Sequence, residues 1–225
     1  MANNTKERTQ RLALSAVFCA LAFLTVFLPV PKVQFLSFDV KDTVIALASL
    51  LLGPGVAAAL SFAVPLLEFI TVGTTGPWGL LMDVLSSLAF SLTASLIYKY
   101  RKTLGGAVLS LSAAVLVQVA VMMLSNLLIT PLYTGAPRSA VIGMLLPLLL
   151  PFNAVKSLFN ASLVMALYKP LAEILRRARL LGDGQGKGYR FGARSVLVLL
   201  ISLAVVAAAV LVLFLVLGGS YGGEA

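Results

Sequence analysis

From Leu104 to Thr130 the chain runs without one charged side chain. As a helix rising 1.5 Å per residue this stretch measures about 40 Å, more than the roughly 30 Å hydrocarbon core of a bilayer. It has company: 60% of the 225 residues are hydrophobic and only 11% are charged. That leaves too little polar surface to cover a water-soluble domain of this size, whereas a helical membrane bundle needs little. The sequence therefore predicts an all-α integral membrane protein. The apolar run from Leu12 is too long for a secretory signal and lacks a convincing cleavage site, so it reads as the first membrane helix.

Glycine, proline and charge divide the rest. A polar cytoplasmic arm, 1–10, precedes a helix at about 11–30 closed by Pro29 and Pro31. A loop of mixed charge, Lys32 to Asp42, leads to a helix ending at Leu52, and Gly53-Pro54-Gly55 breaks it from a third that runs to about Val72. Gly73-Thr74-Thr75-Gly76-Pro77 is a turn by composition; a fourth helix then reaches about Tyr100 and a fifth spans about 104–130. Residues 139–175 are too long for one straight span and carry Pro147 and Pro151, which predicts a short segment at 139–149 and a sixth helix at 151–175. A basic, glycine-rich linker, 178–194, joins this six-helix core, 11–177, to a seventh helix at 195–217 and a tail at 218–225.

Basic residues orient the spans. With the N-terminus inside, Lys6, Arg8, Arg11, Lys99, Arg101, Lys102, Lys169, Arg176, Arg177, Arg179, Lys187, Arg190 and Arg194 fall on the inner side, against Lys32, Lys41 and Arg138 outside. The excess predicts a cytoplasmic N-terminus in the plasma membrane and, with seven spans, an extracellular C-terminus. The charge is placed as topology signals are, and not as a nucleic-acid-binding patch.

Catalysis has few candidates. The chain has one cysteine, Cys19, and no histidine, which excludes intrachain disulfides, imidazole catalysis and His/Cys metal sites. No phosphate loop of the Gly-x-x-x-x-Gly-Lys-Ser/Thr kind occurs, so any energy from ATP must come from partner subunits. No nucleophile–base pair is visible, and the chain reads as a non-enzyme.

What polar chemistry there is gathers near the outer face: Glu68, Asp83, Asn126, Asn153 and Lys156 at shallow helix positions, with Asp39, Lys41 and Asp42 in the outer loop. A charge inside a membrane helix costs at least a few kcal/mol and so faces a partner, a cavity or a ligand. Asn153 and Lys156 stand one helical turn apart on a common face, which Asn160 extends. Taken singly, shallow groups also serve as caps or snorkel to the interface, and Asp42 reads as the N-cap of the second helix. On the first helix Ala13, Ala16 and Ala20, beside Ser15 and Cys19, form a small-residue surface that fits close helix packing.

These features together resemble the substrate-binding subunits of energy-coupling-factor (ECF) transporters, most closely the riboflavin-specific type. The residues that carry the resemblance are Leu36-Ser37-Phe38-Asp39-Val40-Lys41-Asp42, Gly53-Pro54, Gly76-Pro77, Asn126 with Pro131-Leu132-Tyr133, and Pro151-Phe152-Asn153-Ala154-Val155-Lys156. It covers about residues 10–177. It implies six helices around one vitamin, approached by Phe38, Asp39, Val40, Lys41, Asn126, Tyr133, Asn153 and Lys156, with the first loop closing over it. It also implies a separate transmembrane coupling subunit docked on Ala13, Ala16 and Ala20, two ATPase subunits, and toppling of the whole subunit during transport. Val64-Pro65 and Leu80 stand where comparable members carry polar residues, and the seventh helix has no counterpart in the six-helix unit.

The residues fit a flavin on chemical grounds. The pyrimidine edge of isoalloxazine presents acceptor, donor, acceptor, which an asparagine amide and a lysine ammonium can read. Ribityl hydroxyls match Asp39, Asp83 or Asn126, and Phe38 and Trp78 offer apolar walls. The ligand is then riboflavin or its phosphate FMN, carried as cargo and not as a catalytic cofactor. Thiamin remains open through Glu68, and an ion-coupled secondary transporter remains open through Glu68 and Asp83.

Overall fold

The computed structural model describes residues 2–28, 31–33, 36–181, 193–215 and 220–221. The first helix, α1, covers Ala2–Leu24 and passes into a 3-10 turn, Thr25–Phe27. It therefore extends through the residues of the polar arm and ends before the predicted proline stop, whose Pro29 lies outside the described residues. Its buried positions, Leu14, Phe18 and Ala22, recur every four residues and face the bundle.

Two short strands follow, β1 (Pro31–Val33) and β2 (Leu36–Ser37), paired antiparallel. The helix α2, Lys41–Leu52, then enters the bundle and is buried along almost its whole length. At 12 residues it is only about 18 Å long, shorter than a membrane span. It packs against α1, α3 (Pro54–Thr71), α5 (Thr93–Tyr100) and α8 (Leu150–Arg177), which explains why it is apolar on every face below its first turn.

Gly53 ends α2 with φ +101° and ψ 173°, a conformation essentially reserved for glycine, and Pro54 opens α3 at once. The Arg11 guanidinium lies 3.6 Å from where a Cβ on Gly53 would stand, so this turn sits at the end of the bundle where α1 begins.

The helix α4 (Gly76–Ser87) continues through a π-helical stretch, Leu88–Leu92, into α5. Ser49 of α2 donates to the Ser91 carbonyl inside that stretch at 3.3 Å, and Ser95 donates back to the Ser49 carbonyl at 2.9 Å. The long α6, Leu104–Thr134, is capped at its start by Thr103 and turned off at Gly135. Then α7 (Arg138–Met144), a second π stretch (Leu145–Leu149) and α8 form one continuous run. The expected break at 149–151 is thus absorbed: Pro147 and Pro151 each remove a donor, and the backbone widens locally instead of separating into two segments.

The last helix, α9 (Ala193–Leu215), packs along α8, and β3 (Ser220–Tyr221) pairs with β1 to complete a sheet of order β2-β1-β3. The linker residues 182–192 and the tail residues 222–225 lie outside the described residues. Among the described residues five helical segments are long and apolar enough to cross a membrane: Glu7–Phe27, Pro54–Thr71, Gly76–Tyr100, Leu104–Leu132 and Arg138–Arg177. The outer surface is correspondingly apolar, with Leu12, Leu116, Leu124 and Leu146 exposed. The all-α membrane architecture expected from the sequence holds, with the short strands confined to one end.

Replacing Gly53 by alanine forces an L side chain into a glycine-only conformation, at a cost of roughly 1–3 kcal/mol. Gly55→Ala, where a Cβ meets nothing within 4 Å, serves as the control. Thermal unfolding in detergent should show a lower midpoint for Gly53→Ala and none for Gly55→Ala.

Candidate functional site

A cavity of about 450 Å³ opens at the end of the bundle that carries the β1–β2 hairpin. This is within the size range of small-molecule sites. Its wall combines the 3-10 turn after α1, β2 and the segment after it, the first turn of α2, the C-terminal part of α3 and the turn after it, the start of α4, the second half of α6 and the start of α8. Of the residues singled out from sequence, Phe38, Asp39, Lys41, Asp83, Asn126, Asn153 and Lys156 line it, as does Glu68.

Two ion-pair systems cross this space. The Lys41 ammonium, 2% exposed, lies 2.5 Å from Glu68 Oε2 and 3.0 Å from Asp83 Oδ1, tying α2 to α3 and α4. Lys156 Nζ lies 2.6 Å from Asp39 Oδ2, tying α8 to the segment after the hairpin. Burial raises the Asp39 carboxyl, but the Lys156 and Lys41 charges outweigh it and hold that group below the ordinary carboxylate range. Asp39 Oδ1 is buried and makes no well-formed hydrogen bond among the described residues.

Asp42 departs from the sequence reading. The N-cap position of α2 belongs to Val40, and no side chain caps it. Asp42 lies in the first turn and turns inward, fully buried, to accept from Ser87 Oγ at 2.6 Å, Ser86 Oγ at 3.2 Å and Gln118 Nε2 at 2.9 Å. Gln118 Oε1 in turn accepts from Ser157 Oγ at 2.6 Å. One carboxylate thus joins α2, α4, α6 and α8 directly below the cavity. Beside it Asn160 accepts from Thr43 Oγ1 at 2.5 Å and donates to the Asp39 carbonyl at 3.3 Å, clamping the entry to α2 against α8. The sequence carried a signal for part of this hub, since Gln118 and Asn126 are the two amides in the Leu104–Thr130 run; the roles of Ser86, Ser87 and Ser157 had none.

Phe38 anchors the segment from the other side. Its ring packs edge-on to Phe159 at 4.9 Å and to Phe152 at 6.3 Å, so three aromatic rings form an apolar wall beside Asn153 and Lys156. Asn153 donates its amide to the Leu149 carbonyl at 2.8 Å, which leaves its Oδ1 as the atom open to a ligand. Asn126 is engaged at both ends of its amide within α6, with the Met122 carbonyl at 2.8 Å and Thr130 Oγ1 at 3.0 Å. Three expected residues stand off the cavity wall or beyond description. Trp78 sits at the start of α4, 41% exposed and not among the lining residues. Val40 is half-buried and not part of the wall. Tyr133 belongs to the last turn of α6, and its side chain lies outside the described residues. Ala13, Ala16 and Ala20 are all exposed on one face of α1, opposite its buried face.

Fold and site together define a multi-pass membrane protein with a ligand-sized polar pocket at one end of its helices. The model for the substrate-specific component of ECF transporters matches residues 10–168. The chain belongs to that family, whose members are transporter subunits and not enzymes. It is similar to the riboflavin transporter RibU of Staphylococcus aureus (strain TCH60), with 27% identity over 180 residues, 76% of this chain and 95% of that protein. A solved structure described as the S component of a bacterial ECF transporter superposes with a TM-score of 0.65 at 26% identity, covering 76% of this chain and 99% of the other. The family match ends before α9.

Removing Lys41 leaves Glu68 and Asp83 facing each other without their shared cation, and breaking a buried pair from one side costs about 3–5 kcal/mol. Lys41→Ala should therefore unfold at markedly lower temperature, and adding Glu68→Gln and Asp83→Asn should recover part of the loss; additive losses would show that the three do not act together. Asp42→Ala strands the donors of Ser86 and Ser87, at roughly 1–3 kcal/mol for each one left unsatisfied, while Gln118 Nε2 keeps Ser86 Oγ at 2.8 Å. Asp42→Asn keeps an acceptor oxygen, so its unfolding midpoint should fall between those of the parent and the alanine variant.

Proposed function

We propose that this chain is the riboflavin-binding subunit of an ECF-type uptake transporter, with high affinity for a flavin taken from outside the cell. One observation carries the reading: the cavity sets Asn153 Oδ1 and the Lys156 ammonium on one wall, beside the Phe38–Phe152–Phe159 cluster. The acceptor of Asn153 suits the imide N–H of isoalloxazine, and Lys156, with three donors and only one given to Asp39, suits a flanking carbonyl. The likeness to a riboflavin transporter supports the same ligand. Thiamin would need a carboxylate free to face its cation, and here Glu68 and Asp83 are both drawn to Lys41.

In this reading the N-terminus is cytoplasmic and the pocket end faces outward. The basic residues favour that orientation, and the pairing of β3 with β1 agrees with a C-terminal segment on the pocket side. The exposed alanine face of α1 is the docking surface for a transmembrane coupling subunit, and two ATPase subunits supply the energy that the chain, lacking a phosphate loop, has no means to draw from ATP itself.

Calorimetric titration of the purified protein with riboflavin, FMN and thiamin tests the assignment. Riboflavin should bind tightly and saturably, and Lys156→Ala should weaken it by about tenfold or more, equivalent to ~1.4 kcal/mol. Binding of thiamin with no response to either flavin overturns the proposal.

A further inference from the structure

The segment that lines the pocket after the β1–β2 hairpin is adjoined by a part of the chain outside the family match. The residues Leu36, Phe38, Asp39 and Lys41 all line the cavity, and they follow directly from the β1–β2 hairpin. With strands of three and two residues, that hairpin is too short to be stable alone, since an isolated two-stranded ribbon is marginal in water at best. Here it is not alone. The strand β3 lies antiparallel on the open edge of β1, with Pro31 opposite Tyr221 and Lys32 opposite Ser220, and β1 becomes the centre of a three-stranded sheet.

The delivery of β3 has a physical basis. The helix α9 is 23 residues long, about 34 Å, and runs beside α8, which begins at the pocket and carries Asn153 and Lys156. A strand tethered at the end of such a helix meets its partner at a high effective concentration, so even two residue pairs suffice to hold it. Addition of a strand to a free sheet edge works through the main chain and asks little of the sequence. This accounts for a feature that the ligand pocket leaves unexplained: a helix beyond the six-helix core, followed by residues paired with the loop over the pocket.

We infer that α9 and β3 form an intramolecular strap: β3 docks on the edge of the β1–β2 hairpin and restrains the segment from Phe38 to Lys41 over the mouth of the pocket. A ligand enters or leaves only when that segment lifts, and lifting it strains or breaks the β1–β3 pairing. The strap therefore slows ligand exchange. Only the ligand arm of its test rests on the proposed function.

The test compares the full chain with one lacking residues 220–225. Amide hydrogen exchange is followed, without ligand, over residues 31–43, and riboflavin release is followed by competition. In parallel, Lys32→Cys with Ser220→Cys, made in a Cys19→Ser background, is oxidised mildly. The strap predicts ready disulfide formation, several-fold faster exchange across both the hairpin and residues 38–43 in the shortened chain, and several-fold faster release of riboflavin. Unchanged exchange, or no disulfide, overturns the docking; faster exchange at 31–37 with none at 38–43, or with unchanged release, overturns the restraint. If neither form binds riboflavin, the proposed ligand falls, and the disulfide and exchange at 38–43 still decide the strap.

Discussion

The Lys41 ammonium, held between Glu68 and Asp83, is the interaction on which the pocket end depends. Each of these charges is expensive in a membrane bundle, and none would be stable there alone. Together they fix the first turn of α2 to α3 and α4 at 2.5 and 3.0 Å. Because α2 is the buried helix around which the others pack, fixing its first turn also fixes the positions from which those helices present their side chains to the cavity. The Asp42 hub repeats the logic one layer deeper with neutral donors. Serine hydroxyls and a glutamine amide satisfy its carboxylate, and α6 and α8 are drawn into the same register.

Function follows from how unevenly these groups are satisfied. Glu68, Asp83 and Asp42 are occupied by protein partners and maintain shape. Asn153 Oδ1 keeps acceptor capacity, and the Lys156 ammonium keeps donors, both at the cavity wall beside Phe38 and Phe152. The riboflavin proposed above, part flat aromatic ring and part polyol, would use that distribution. The same segment that supplies Phe38, Asp39 and Lys41 to the wall is joined directly to the β1–β2 hairpin.

Much of the bundle was legible in the sequence because lipid imposes a strong and local rule. Apolar runs set the helices, Gly53-Pro54 and Gly76-Pro77 set turns, and the i,i+3 spacing of Asn153 and Lys156 placed both on one cavity wall. The readings that failed concern partners. Asp42 has the position and chemistry of a cap, but its rotation in the first turn of α2 carries it inward, toward Ser86, Ser87 and Gln118, which are remote in sequence. Trp78, beside the Gly-Pro turn, is 41% exposed and is not among the residues that line the cavity. Residues 139–175 carry Pro147, Pro151 and Pro170 and still form one run, since a π-helical stretch absorbs the missing donors around the first two.

By itself the sequence determined that this chain is a helical membrane protein with its polar groups at one end, and, through the residues shared with a known family, what sort of subunit it is. Periodicity, hydropathy and proline placement act over a few turns, so they are readable along a line. Only the tertiary structure decided which lysine pairs with which carboxylate, that Asp42 is a four-helix hub, and that residues 220–221 return to the hairpin beside the pocket. Those outcomes depend on contacts between segments tens to nearly two hundred residues apart, set by how helices cross and rotate in the packed bundle.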